Sequence, residues 1–216
     1  MYKTLIRPFL FKLNPESAHQ LTMKMLKIAG SIPFCRSIVR LMFKREHKNL
    51  SREVFGIRFP NPVGLAGGLD KNGECYNELS DFGFGFVEIG SLTAKPQPGN
   101  PKPRLFRVVK DNAIINRMGI NNNGVSEAIK NINSKHPEVI IAGNIAPNSS
   151  SQGEQVADDY KTAFSLLYDF VDMFVINISC PNVEGLTSLQ EVSSLSDIMD
   201  SMLNMRTGFD TYKPIL

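Results

Sequence analysis

Four apolar runs, at 61–66, 86–90, 139–145 and 173–179, are separated by segments of helical periodicity, and a fifth run begins at 214–216. This alternation constrains the chain more than any other feature. Strands that are apolar on both faces belong to a parallel sheet covered on both sides, and the crossover between parallel neighbours is normally a helix. Between the third and fourth runs Tyr160, Phe164, Leu167, Tyr168 and Val171 recur at helical spacing, which predicts such a crossover. The chemistry-bearing residues follow the runs. Gly67-Gly68 comes after the first and Gly90-Ser91 after the second; Asn144 interrupts the third; Asn177 and Ser179-Cys180-Pro181-Asn182 close the fourth. All of them fall at carboxyl ends of strands, the rim where (β/α)8 barrels keep their sites. A doubly wound sheet uses the same rim, but the turn at 65–71 lacks the GxGxxG spacing of a dinucleotide site. The chain also has no P-loop, HExxH or GxSxG motif.

The first fifty residues differ in character. They hold ten Lys and Arg against Glu16 and Glu46, a net +8, so the remainder sums to −5 within a total of +3. A basic arm on an acidic body is built to meet an anionic partner. Asn14-Pro15-Glu16 supplies a cap, a first-turn proline and an acid for one helix. Ala18, Leu21, Met25 and Ile28 run along it, and Gly30 with Pro33 ends it. In a second helix Phe34, Ile38, Leu41 and Met42 form an apolar stripe, with Arg36, Arg40, Lys44 and Lys48 between. Such a pair can lie in a bilayer interface with its bases at the headgroups, or pack on its own domain with a solvated basic face. The arm lacks the interleaved aromatics that stack nucleic-acid bases, so no nucleic-acid partner is expected. No run of about eighteen apolar residues is long enough for a membrane span, and 9–11 is too short an apolar core for a signal peptide. The three cysteines, Cys35, Cys75 and Cys180, form no CxxC pair; no metal site is predicted, and a reducing compartment is expected.

Three segments carry the site chemistry. In 64–71 paired glycines let the backbone approach a flat ring, with Lys71 placed to offset negative charge. A Gly-Gly turn beside a surface lysine also occurs without any site. In 116–124 the amides match the alternating donors and acceptors of a pyrimidine or flavin edge, although Asn-rich loops are also simply turns. In 177–182 two amides flank a thiol directly after a buried strand, where a lone cysteine is otherwise a small core residue.

Together these segments resemble the dihydroorotate dehydrogenase family. NPVGLAGGLDKNGE at 61–74, GFGFVEIGSLTAKPQPGNPKPRLFR at 83–107, INRMGINNNG at 115–124 and NISCPNVEGL at 177–186 fit its pattern in order. NPESAH at 14–19 resembles the N-terminal extension of its quinone-dependent class. The resemblance implies an α/β fold: a (β/α)8 barrel at 51–216, incomplete in this chain, preceded by a two-helix membrane-association and quinone-tunnel domain at 1–50. It implies FMN-dependent oxidation of dihydroorotate to orotate in pyrimidine biosynthesis, with a membrane quinone as acceptor. The enzyme would sit peripherally on the cytoplasmic side of the inner membrane, held to anionic lipid by the arm.

By position Gly67, Gly68, Leu69, Asp70, Lys71, Ser91, Asn144 and Asn177 would contact FMN. Lys71, Asn116, Arg117, Met118, Gly119, Ile120, Asn177 and Asn182 would hold the substrate, and Cys180 stands where the family places the base. His19 and Arg107 resemble residues of the quinone tunnel. Two departures bear on this. Cysteine at the base position is usual in the soluble fumarate- or NAD-linked class, whereas the arm belongs to the quinone class and is weighted more heavily. The family also continues through a second flavin lysine and phosphate-gripping loops. The 216 residues alone are therefore expected neither to retain FMN nor to turn over, and to leave strand edges open. A soluble dehydrogenase and an inactive lipid-binding module remain as alternatives.

Overall fold

A computed structural model of the chain describes residues 2–45, 47–133, 138–178 and 192–216. The arm comprises α1 (Arg7–Phe11), α2 (Pro15–Gly30) and α3 (Pro33–Phe43). Its boundaries follow local chemistry. Pro15 opens α2, whose Asn14 Oδ1 accepts the Glu16 N–H, and Pro33 opens α3. A hairpin of β1 (Arg52–Val54) and β2 (Ile57–Phe59) precedes the main sheet. That sheet contains β3 (Gly64–Leu65), β4 (Phe86–Leu92), β7 (Ile140–Ile145) and β8 (Met173–Ile176), all parallel and hydrogen-bonded in that order. Ile215 adds a parallel bridge to Phe174 of β8. Strands therefore join the sheet in sequence, with no reversal of the kind that creates the switch point of a doubly wound sheet. This is the order of a (β/α)8 barrel.

Helices α5 (Val125–Asn133), α6 (Glu154–Leu167) and α7 (Val192–Arg206) pack on one face of the sheet. Val87, Ile89, Ile141, Ile145, Phe174 and Ile176 meet Val125, Ala128, Phe164, Leu167 and Met202 there in one core. All five residues of the helical pattern at 160–171 are buried. The strand runs are not apolar throughout, however. Alternate side chains face opposite sides of a strand, and the face away from the helices carries Glu88 and Asn144.

The insertion between β4 and β7 holds a second hairpin, β5 (Leu105–Val108) with β6 (Ala113–Asn116), which gave no alternating signal because Ala113 to Asn116 are all exposed. The loop around it is fastened by buried amides. Asn122 donates to Thr93 Oγ1 (3.0 Å) and Ile120 O (2.9 Å), and its Oδ1 accepts the backbone N–H groups of Thr93 and Gly124. Asn148 donates to Lys95 O and to Gln97 Oε1.

The arm docks on the barrel through charge as well as apolar contact. Arg36 and Arg40, which the sequence left facing either headgroups or solvent, grip the buried Asp81 at 2.7 and 2.5 Å and reach Glu138 as well. The helical stripe is likewise reversed in part. Met23 and Leu26 pack against the core beside the buried Ala18, while Met25 and Ile28 are exposed. Glu16, expected only to complement the helix dipole, is buried against the equally buried Arg104, with Nη2 to Oε1 at 2.7 Å. The other Arg104 nitrogens donate to Glu16 Oε2, Pro98 O and Asn100 O, so one side chain joins α2 to the insertion.

Arg104→Met should therefore leave the buried carboxylate with only the exposed Lys102, 3.5 Å away, as a charge partner, and destabilise the protein by about 3 kcal/mol. The Arg104 hydrogen bond holds the Glu16 carboxyl below its ordinary value of 4.5. A depressed carboxyl stabilises the fold above its unfolded-state value and ceases to do so as pH falls through the lower folded-state one. Denaturation at pH 7 should show the loss, and the difference between Arg104→Met and the parent should shrink below about pH 4.5. A pH-independent difference under about 1 kcal/mol would contradict this account of the pair.

Candidate active site

The polar face of the sheet, the turn after β3, the insertion and the start of α2 enclose a cavity of about 670 Å³, within the range of small-molecule sites. Its floor is the turn after β3. Gly68 N–H donates to Gly90 O at 2.7 Å and Gly90 N–H to Asp70 O at 3.0 Å, which laces the turn to the end of β4. Gly68 has φ +99°, a conformation side chains rarely adopt. At Gly67 an added Cβ would lie 2.6 Å from Glu88 Oε1, so the backbone there must stay bare.

Around this floor stand Lys71, Ser91, Asn144 and Asn177, with Asn116, Met118, Gly119 and Ile120 from the insertion and His19 and Arg107 at the arm side. Residues distant in sequence and expected to hold three different ligands are thus brought to one space. Asn177 Nδ2 donates to Ser91 Oγ at 2.8 Å, and Asn144 Nδ2 to Glu88 Oε1 at 2.5 Å. Lys71 Nζ donates to Gly68 O at 2.5 Å, and Glu16 and Arg104 act on it electrostatically. Burial, followed by the Arg104 charge, pushes the Lys71 ammonium below its usual range, while Glu16 opposes this. His19 is pushed down by burial and then by the Lys71 cation.

Other expected residues lie elsewhere. Leu69 and Asp70 line an adjoining cavity of about 450 Å³, which shares Glu16, His19, Lys71, Met118 and Asn121 with the first. The Asp70 carboxylate accepts the backbone N–H groups of Glu74 and Cys75, each at 2.8 Å, and so fixes the entry to α4 (Tyr76–Ser80). Burial nevertheless raises its pKa. Arg117 is exposed, with its guanidinium donating to Pro103 O. Arg107 does more than line the cavity: it donates to Leu10 O and Leu13 O and lies 4.6 Å from the Phe11 ring, tying α1 to β5. Cys180 and Asn182 lie outside the described residues.

Glu88, also in the wall, went unread in the sequence, although a lone acid in the apolar run FVEIG is the signal that marks it. Asn121, another wall residue, was read only as one amide of the 116–124 segment and not singled out from its two asparagine neighbours. The Oδ1 atoms of Asn121 and Asn144 are buried without a hydrogen-bond partner among the described residues. Buried acceptors normally have partners, and a ligand bearing N–H donors is one way to supply them.

Sequential parallel strands with a glycine-floored, amide-lined cavity at their carboxyl ends define a barrel built to hold a flat polar ligand. A family profile described as dihydroorotate dehydrogenase matches residues 49–214, and the chain belongs to that family. It is 46% identical over its whole length to the dihydroorotate dehydrogenase (quinone) of Christiangramia forsetii and 42% identical, over 98% of its length, to that of Idiomarina loihiensis. In each case it spans 63% of the relative. Among solved structures, DHODH of Eimeria tenella in complex with ferulenol superimposes with a TM-score of 0.79 at 34% identity, covering 90% of this chain and 51% of that one. The ligand-free form gives 0.78 at 33%, covering 92% and 54%.

Proposed function

We propose that the full-length protein carrying this chain oxidises dihydroorotate to orotate with FMN as cofactor and passes the electrons to a membrane quinone. The observation that carries this reading, beside family membership, is the convergence of Gly67-Gly68, Lys71, Asn116, Asn144 and Asn177 on one cavity. The residues present fit a flavin: the bare backbone at Gly67 and Gly68 admits a ring closely, and the Asn121 and Asn144 amide oxygens, without partners among the described residues, call for donors. FMN, when bound, supplies the hydride acceptor. Gly67, Gly68, Ser91, Asn144 and Asn177 would hold it, with Leu69 and Asp70 shaping the turn. Lys71 would pair with the substrate carboxylate, while Asn116, Asn177 and Asn182, with the backbone of 117–120, would fix the pyrimidine ring. Such positioning supplies a large share of a rate enhancement before any bond changes. Cys180 would take the proton from C5 as hydride leaves C6.

Residues 1–50 would form the membrane-association domain and 51–216 the barrel portion. His19 and Arg107, which line the cavity at its arm side, would form part of the quinone's approach to the flavin. The enzyme would attach peripherally to the cytoplasmic face of the inner membrane through exposed apolar side chains of the arm, such as Phe34 and Leu41 on one face of α3, which are 74% and 79% exposed. Among the described residues no helix is long and apolar enough to cross a membrane.

Anaerobic mixing of the full-length protein with dihydroorotate should bleach its flavin absorbance and release orotate, and a short-chain quinone should restore the colour. Reoxidation by fumarate or NAD with none by quinone would replace this reading with the soluble one. A purified protein without flavin would leave the lipid-binding module.

A further inference from the structure

Glu88 is the one acid inside the apolar run of β4; it is half-buried on the cavity side, and its carboxylate forms no ion pair among the described residues. In register Glu88 sits opposite Ala142, so Asn144, two residues further along β7, shares its side of the sheet. Asn144 Nδ2 donates to Glu88 Oε1 at 2.5 Å. An ionised carboxylate can only accept, so it selects one of the two orientations of an amide that could otherwise turn end for end. The NH₂ group faces the carboxylate, and the oxygen is left as the free end. That oxygen is one of the buried atoms without a hydrogen-bond partner among the described residues, on a side chain that lines the cavity. Gly67 completes the arrangement, because a Cβ there would lie 2.6 Å from Glu88 Oε1 and 3.3 Å from Asn144 Nδ2.

We infer that Glu88 is a positioning residue: by fixing the Asn144 amide it makes this wall of the cavity an acceptor, and so selects a ring that presents an N–H there. The inference rests on the flavin reading of the cavity. Oxidised isoalloxazine has a single ring N–H, at N3, and its other polar ring atoms are acceptors. An Asn144 turned the other way would offer a donor and would meet N3–H as a mismatch.

The test compares binding of FMN with that of 3-deaza-FMN, in which C–H replaces N3–H, to the full-length apoprotein in the absence of substrate. The parent should prefer FMN by about 10-fold, the value of one hydrogen bond. Glu88→Leu, which no longer fixes the amide, should reduce the preference to under about 3-fold. Glu88→Gln, which can still accept from Asn144 but without charge, should fall between them. In an Asn144→Ala background the preference should already be absent, and Glu88→Leu should change the ratio no further. A variant that binds both flavins more weakly with the preference intact would show Glu88 to be merely structural and overturn the inference while leaving the site reading in place. A parent that binds FMN but shows no preference would overturn it as well. A parent that binds neither flavin would remove the flavin reading and the inference together.

Discussion

Cys180→Ala is expected to slow reduction of the bound flavin by dihydroorotate about 10²- to 10⁴-fold, the range for loss of a positioned general base, while FMN and orotate still bind. Acidity is the reason. A cysteine thiol ionises at about pH 8.5 when unperturbed, and a modest depression by neighbouring donors or a cation gives useful thiolate near neutrality. A serine hydroxyl is far less acidic and relies more on a relay to remove its proton. Cys180→Ser should therefore keep part of the activity with its pH profile displaced upward, and orotate should protect the parent from alkylation. Single-turnover flavin reduction is the measurement, because it excludes the acceptor half-reaction. A wild-type rate in Cys180→Ala would place the base elsewhere.

The sequence made the sheet legible because its signal is local. The runs at 139–145 and 173–179 contain β7 and β8, the run at 86–90 falls within β4, and the pattern at 160–171 marks the buried face of α6 and the turn after it. The first run contracts to Gly64–Leu65, since Asn61, Pro62 and Val63 precede the strand and Asn61 instead caps the turn through Val63 N–H. The two hairpins were missed because β1 and β6 are exposed throughout and β2 is only three residues long, too short for its alternation to register. What was hidden throughout was pairing at long range. Nothing local in PKPRLFR distinguishes Arg104, the buried partner of Glu16 88 residues away, from the exposed Lys102. The amide network of Gln97, Asn122 and Asn148 has the same character, for an amide in a loop reads as a turn residue until its partners are known.

The same long-range pairs decide how membrane attachment should be tested. Deleting residues 1–50 would be a poor experiment, because Met23 and Leu26 pack against the barrel core and removal of Glu16 would strand the buried Arg104. Loss of quinone turnover would then follow from damage to the cavity wall as readily as from lost attachment. Charge reversal at Arg36 or Arg40 fails for a similar reason, since both hold Asp81. The outer stripe of α3 is free of these obligations: Phe34 is 74% and Leu41 79% exposed, and neither belongs to the core. Fully burying two such side chains is worth about 3–6 kcal/mol, so Phe34→Glu with Leu41→Glu should weaken binding to anionic vesicles by about 100-fold or more. Turnover with a long-chain quinone embedded in those vesicles should fall in parallel. Dihydroorotate-driven reduction of a water-soluble dye should not change, because neither residue lines the cavity, and the thermal midpoint should stay within a few degrees of the parent. Unchanged vesicle binding in the double variant would mean that the arm does not meet lipid through this face, whatever its net charge suggests.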